Sequence, residues 1–143
     1  MDNDLLDKVM AYEHERLIDR MARKMGIPHE SGRALFNDTK KFLFVCGTIE
    51  NMAFAPTEII DECWHTFLLY TEDYEPFCKE YFGGFIHHCP LTPAEMATAD
   101  GSMLRRTANT AEAMFGKQNL SDNWLYSGNP SSCGSRCGGS TGG

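Results

Sequence analysis

The sequence lacks a basic patch. Its 13 Lys and Arg are outnumbered by 20 Asp and Glu, for a formal net charge of -7. A protein that grips duplex DNA or RNA displaces counterions with clustered cations. Here the only close basic pairs are Lys40-Lys41 and Arg105-Arg106, so no nucleic-acid partner is expected. Long apolar runs are missing too. Nothing approaches the ~18 residues needed to span a bilayer, and Phe42 to Cys46 is the longest short run. The first residues, MDNDLLDKVM, are acidic where a secretory leader is basic. These absences predict a cytoplasmic protein with no membrane partner. There is no CxxC, HExxH or GxSxG, and no internal repeat.

What is present suits one folded domain. The 143 residues are 42% hydrophobic, enough for a core that needs no covalent staple. In a reducing compartment the six cysteines are expected as thiols or metal ligands, not as a disulfide framework. Apolar residues recur at three- and four-residue steps from Asp2 to Met25, which predicts a first helix with His14 on its wet face. His29 to about Ile49 predicts a second, with Ser31 as a cap, Cys46 as a small buried hydrophobe and Lys40-Lys41 outside. Pro56 opens a third that runs to about Thr71. Pro76 predicts a break and a short new helix carrying Tyr74, Phe77, Cys78 and Phe82, stopped by Gly83-Gly84. Thr92-Pro93-Ala94-Glu95 reads as a capping box, ahead of helical stretches near Ala94 to Asp100 and Met103 to Phe115. Trp124 reads as an anchor.

The expected fold is therefore all-α: a compact bundle of four to six helices over residues 1–126. Residues 127–143, SGNPSSCGSRCGGSTGG, hold six Gly and five Ser, and this composition predicts a disordered Gly/Ser/Cys-rich tail. Its thiols, Cys133 and Cys137, have three open fates: soft-metal binding, a reversible disulfide, or no role. The tail is also long enough to reach back to the domain.

Chemistry concentrates between Pro56 and Pro90, where three of five histidines and three of six cysteines fall. Asp61 and His65 are four apart and share a helix face. On the helical wheel Ile60, Trp64, Phe67 and Leu68 lie to one side, so the pair sits at the border of the buried face. Downstream come Cys78, His87, His88 and Cys89, and Gly83-Gly84 lets that segment fold back. Imidazole, carboxylate and thiolate suit zinc or another divalent transition metal. One reading is thus a metal site of Asp61, His65, Cys78 and one of His87 or His88. A second, of equal weight, is a structural polar cluster in a non-enzymatic interaction module whose tail contacts a protein partner. A third is acid–base chemistry by an Asp-His pair without metal; a further one is a small hydrolase or redox enzyme in which the metal acts as Lewis acid.

The linked positions Pro56, Asp61, Trp64, His65, Tyr74, Cys78, Gly83 or Gly84, His87 or His88, and Pro90 resemble the glycine-rich domain-containing protein-like family of plants and bacteria. The Gly-rich end is similar to that family's low-complexity tails. Members often carry a second histidine two residues after the first, where this chain has Phe67. The resemblance implies importance for Asp61, Trp64 and His65, and it supplies no reaction.

Overall fold

The computed structural model describes residues 1–125 and 135–138. Among them are seven α-helices, two single-turn 3-10 helices and one two-stranded antiparallel sheet. The helices are α1 (Asn3–Ala11), α2 (Glu15–Met25), α3 (His29–Thr48), α4 (Glu58–Leu69), α5 (Thr71–Phe82), α6 (Pro93–Thr98) and α7 (Ser102–Phe115); the strands are β1 (His87–Pro90) and β2 (Ser135–Gly138). The architecture is all-α with the small sheet at one edge. No described helix is long and apolar enough to cross a membrane.

The seventh helix arises because the first predicted one is two. The chain breaks at Tyr12 to His14, and the break is held by buried polar groups. His14 caps α2: its Nδ1 accepts from the Leu17 amide at 3.1 Å. That fixes the proton on Nε2, which donates to Asp73 on α5 at 2.7 Å. His14 is therefore buried and not on a wet face. Lys40, expected outside, is also buried. Its ammonium donates to the Met10 and Tyr12 carbonyls at 2.8 Å each, closing the C-terminal end of α1, and lies 5.0 Å from the Phe36 ring centre. A cation there meets orphan helix carbonyls and the negative end of the dipole.

α3 is the central strut, packed against α1, α2, α4, α5 and α7. Leu35, Phe36, Phe42, Leu43, Phe44, Val45 and Cys46 form its buried stripe. Pro28 stands at its N-cap without a side-chain cap bond, and Ser31 lies inside the helix. Gly47 does not end α3. A Cβ there would lie 2.5 Å from Phe82 Cγ, so glycine permits the close approach of α5.

Pro76 does not break its helix. The new start is earlier, at Tyr70, whose carbonyl takes the Asp73 and Tyr74 amides. Tyr74, Phe77 and Cys78 are buried on either side of Pro76, and this packing carries the helix through the proline. α5 ends at Gly83 in the left-handed conformation, φ 76°. The Thr92–Glu95 capping box forms as expected. So does the Trp124 anchor: its indole N–H donates to buried Asp38 at 3.0 Å, and Ser121 and Asn123 donate to the other oxygen of the same carboxylate.

The predicted tail needs one correction. Ser135–Gly138 is a strand seated against the helical domain, because its backbone and alternate side chains all find partners there. The remaining expected tail, 127–134 and 139–143, lies outside the described residues, Cys133 with it, as does the last residue of the expected domain, Tyr126.

Candidate functional site

The site is built where β1 and β2 lie along the edge of α4. The register pairs His87 with Gly138, His88 with Cys137, Cys89 with Arg136 and Pro90 with Ser135. Neighbouring residues on a strand point to opposite faces. His88, Pro90, Ser135 and Cys137 therefore share the inner face, while His87, Cys89, Arg136 and Gly138 share the outer one. Burial follows this rule in β2, where Ser135 and Cys137 are 2% and 1% exposed; in β1 His88 is half-buried and Pro90, at the end of the strand, is exposed. Glycine is required at 138 by closeness, since a Cβ would press to 3.0 Å from both Cys89 Sγ and His87 Cβ.

β2 is held from both sides. The Cys137 amide donates to the Phe54 carbonyl at 2.9 Å, in the loop that leads into α4. It thus points away from β1, and His88–Cys137 is a pair of the type that exchanges no backbone bonds, with the side chains brought closer. The Phe54 amide returns a bond to Cys137 Sγ at 3.2 Å. The Phe54 loop is itself pinned: the Arg106 guanidinium donates to the Ala53 carbonyl, and Thr107 Oγ accepts from the Ala55 amide at 2.9 Å. On the outer side Arg136 lies 4.0 Å from Glu95.

Asp61 is the polar centre. Its Oδ1 accepts from His88 Nε2 at 2.7 Å and from Ser135 Oγ at 2.6 Å. Burial alone would raise the Asp61 pKa; these two hydrogen bonds and the nearby imidazoles outweigh it, and the carboxyl is held below its ordinary value. The ionised carboxylate can only accept, so His88 carries the proton on Nε2. The His88 ring also packs on Trp64, centroids 4.4 Å apart. Trp64 is fixed in turn: its indole N–H donates to Tyr74 at 3.0 Å, and the Tyr74 hydroxyl donates to the Ile86 carbonyl at 2.6 Å, just before β1. Three rings and one carboxylate thus set where β1 lies.

The predicted ligand residues divide. Asp61, His65 and His88 come together: the His65 ring is exposed at the surface, 5.5 Å between centroids from that of His88. His88 is the inward member of its pair. His87 is on the outer face, edge-on to Phe85 with ring centroids 4.9 Å apart. Cys78 is fully buried beside Tyr74 and Ile86, where burial raises its thiol pKa. It is not part of the Asp61 cluster. Among the described residues, no three His, Cys, Asp or Glu side chains stand in an arrangement that could hold a metal ion.

Ser135 was not expected at the site, and Cys137 was expected only as a tail thiol able to reach back to it. Ser135 and Cys137 stand 74 residues or more beyond Asp61, inside a Gly/Ser stretch with no hydrophobic alternation. The one available hint was the thiol itself, a residue type commonly buried.

A family model described as UCP032817-like matches residues 8–120, and the chain belongs to that family. The resemblance to the glycine-rich domain-containing protein-like family is thereby corrected: the shared Asp-x-x-Trp-His and downstream positions cover about a quarter of the chain, whereas this match covers most of it. No curated protein and no solved structure matches the chain.

Proposed function

From a member of that family we propose a non-enzymatic interaction module: a groove that accepts an extended strand of a protein partner and is filled in cis by the chain's own Ser135–Gly138. The observation that carries this reading is the way β2 is received. Backbone bonds hold it on both edges, and its alternate side chains enter separate sites, Ser135 on Asp61 and Cys137 against Phe54. Strand addition works in this manner: main-chain bonds give affinity and alternate side chains give specificity. The groove residues Asp61, Trp64, His88 and Phe54 all lie within the matched stretch 8–120, and β2 lies outside it. The acceptor thus lies inside the family match, and the strand that fills it lies beyond the matched residues. The partner segment expected is extended, with a small hydroxyl residue and a small apolar or thiol residue two positions apart.

The arrangement argues against Asp61–His88 as a catalytic pair for a serine nucleophile. Ser135 donates to the same carboxylate oxygen that takes the His88 proton, whereas a serine nucleophile of that kind is activated by donating to the imidazole.

The test is titration of a chain ending at Leu125 with a peptide of residues 131–143, after melting shows the shortened chain folded. Saturable binding, weakened about tenfold by Asp61→Ala, supports the reading; a hydrogen bond to a charged group is worth about 1.5–3 kcal/mol. A folded shortened chain that ignores the peptide overturns it.

A second reading, a zinc or other divalent transition-metal site of Asp61, His65 and His88, starts from two imidazoles and a carboxylate on one border, which do not stand in a metal-holding arrangement as they are placed. It requires His88 to leave Asp61. Calorimetric titration with zinc separates the two: one equivalent bound and lost in His65→Ala favours the metal, and no heat favours the strand groove.

A further inference from the structure

β2 meets selective contacts on its outer face as well as its inner one. Gly138 lies opposite His87 in the register. A Cβ at 138 would stand 3.0 Å from His87 Cβ and 3.0 Å from Cys89 Sγ, inside the ~3.5–4.0 Å of ordinary contact. His87 Cβ moves only with the backbone of β1. That backbone is held by the His88 bond to Asp61 and by the Tyr74 bond to the Ile86 carbonyl. The His87 ring is braced edge-on against Phe85, and Phe85 against buried Tyr74, at 4.9 and 5.2 Å between centroids. Gly138 does not have a left-handed φ, so space and not backbone conformation selects it.

Arg136 lies opposite Cys89, and its Nε stands 4.0 Å from Glu95 Oε2. The capping box of α6 fixes that carboxylate, since Glu95 Oε1 accepts from the Thr92 amide at 3.0 Å. A fixed anion beside position 136 favours a cation there. The preference is weak, because both groups are partly exposed.

We propose that the groove reads a four-residue motif, small hydroxyl, cation, small residue and glycine, running antiparallel to β1, and that His87 and Cys89 are the gate that admits only glycine at its fourth position. This deepens the strand-groove reading and rests on it for a partner in trans. Asp61 takes the hydroxyl, as it takes that of Ser135. Glu95 takes the cation. The Phe54 amide, 3.2 Å from Cys137 Sγ, meets the third residue. His87 and Cys89 leave no room for a side chain on the fourth. The partner class is an extended protein segment of the type Ser/Thr-Lys/Arg-small-Gly. Strand propensity alone favours valine over glycine, whereas the gate demands the reverse, so the two are separable.

The test uses the reduced full chain. Amide hydrogen exchange is followed by mass spectrometry in a fragment spanning Ser135–Gly138, with a fragment from the middle of α3 as the control for global stability. Gly138→Val is expected to lower protection of β2 about tenfold and to leave α3 unchanged. Gly138→Ala is expected to lower it less, and adding Cys89→Ala to restore it. Arg136→Glu is expected to lose more protection than Arg136→Ala at low salt, and the difference closes as salt is added. Wild-type or greater protection in Gly138→Val, or a Gly138→Ala loss that Cys89→Ala leaves unchanged, overturns the gate. If Gly138→Val lowers α3 as well, the alanine pair decides. Equal protection in Arg136→Glu and Arg136→Ala at low salt overturns the cation subsite. These measurements read the strand in cis, so failure of the motif is distinguishable from failure of the shortened chain to bind the 131–143 peptide.

Discussion

Asp61 serves two segments that arrive from opposite ends of the chain's second half, β1 through His88 and β2 through Ser135. Asp61→Ala removes the acceptor of both bonds, and is expected to cost about 2–3 kcal/mol by urea unfolding. The sign with pH follows from the lowered pKa. The folded carboxyl binds its proton more weakly than the unfolded one, so its contribution is complete above the ordinary carboxylate range, near pH 4, and is lost as pH falls through the lower folded value. The stability gap between wild type and Asp61→Asn is therefore expected to narrow from about pH 4 downward. Lys40 gives the opposite kind of slope. Burial pushes its pKa down to about 8. Between that value and the ordinary ~10.4 the unfolded chain holds more protons, so stability gains from rising pH. The gain is to be read as the difference between wild type and Lys40→Met, because the buried thiols Cys46 and Cys63, raised by burial, bend the curve the other way over the same range. Asp61 and His65 were legible from their spacing at the edge of an apolar face. Lys40 and His14 were not: residue type suggests water, and only the arrival of the α1 carbonyls or Asp73 reveals why they are inside.

At the scale of elements, the helices were legible where apolar residues repeat, and their ends were less so. Pro76 and Gly47 both signal a stop. Each is overruled by packing, Pro76 by buried Tyr74 and Phe77, Gly47 by Phe82 against its bare Cα. Gly47→Ala accordingly is expected to destabilise by about 1–3 kcal/mol through overpacking, despite alanine's better helix propensity; thermal melting reads the sign directly. The α1–α2 break escaped notice because the hydrophobic repeat continues across it. β2 escaped for a different reason. A serine, an arginine, a cysteine and a glycine carry little strand preference of their own, and this strand exists because β1, Phe54 and Asp61 supply partners from outside it.

For the whole molecule, the long helix α3 and the helices around it form a scaffold, and the working edge is where α4, the Phe54 loop and β1 meet. The fold class was readable from composition and periodicity because local signals specify helices. The candidate site was half readable, since Asp61, His65 and His88 belong to one continuous stretch, whereas the segment that completes it is remote in sequence. The central claim is that β2 occupies a groove able to take a strand from elsewhere. It is tested most directly by measuring the affinity of the 131–143 peptide for two reduced proteins side by side, the full chain and the chain ending at Leu125. Cis occupancy predicts that the shortened chain binds at least about tenfold more tightly, a difference of about 1.4 kcal/mol. Equal affinity, or no binding to a folded shortened chain, would contradict it.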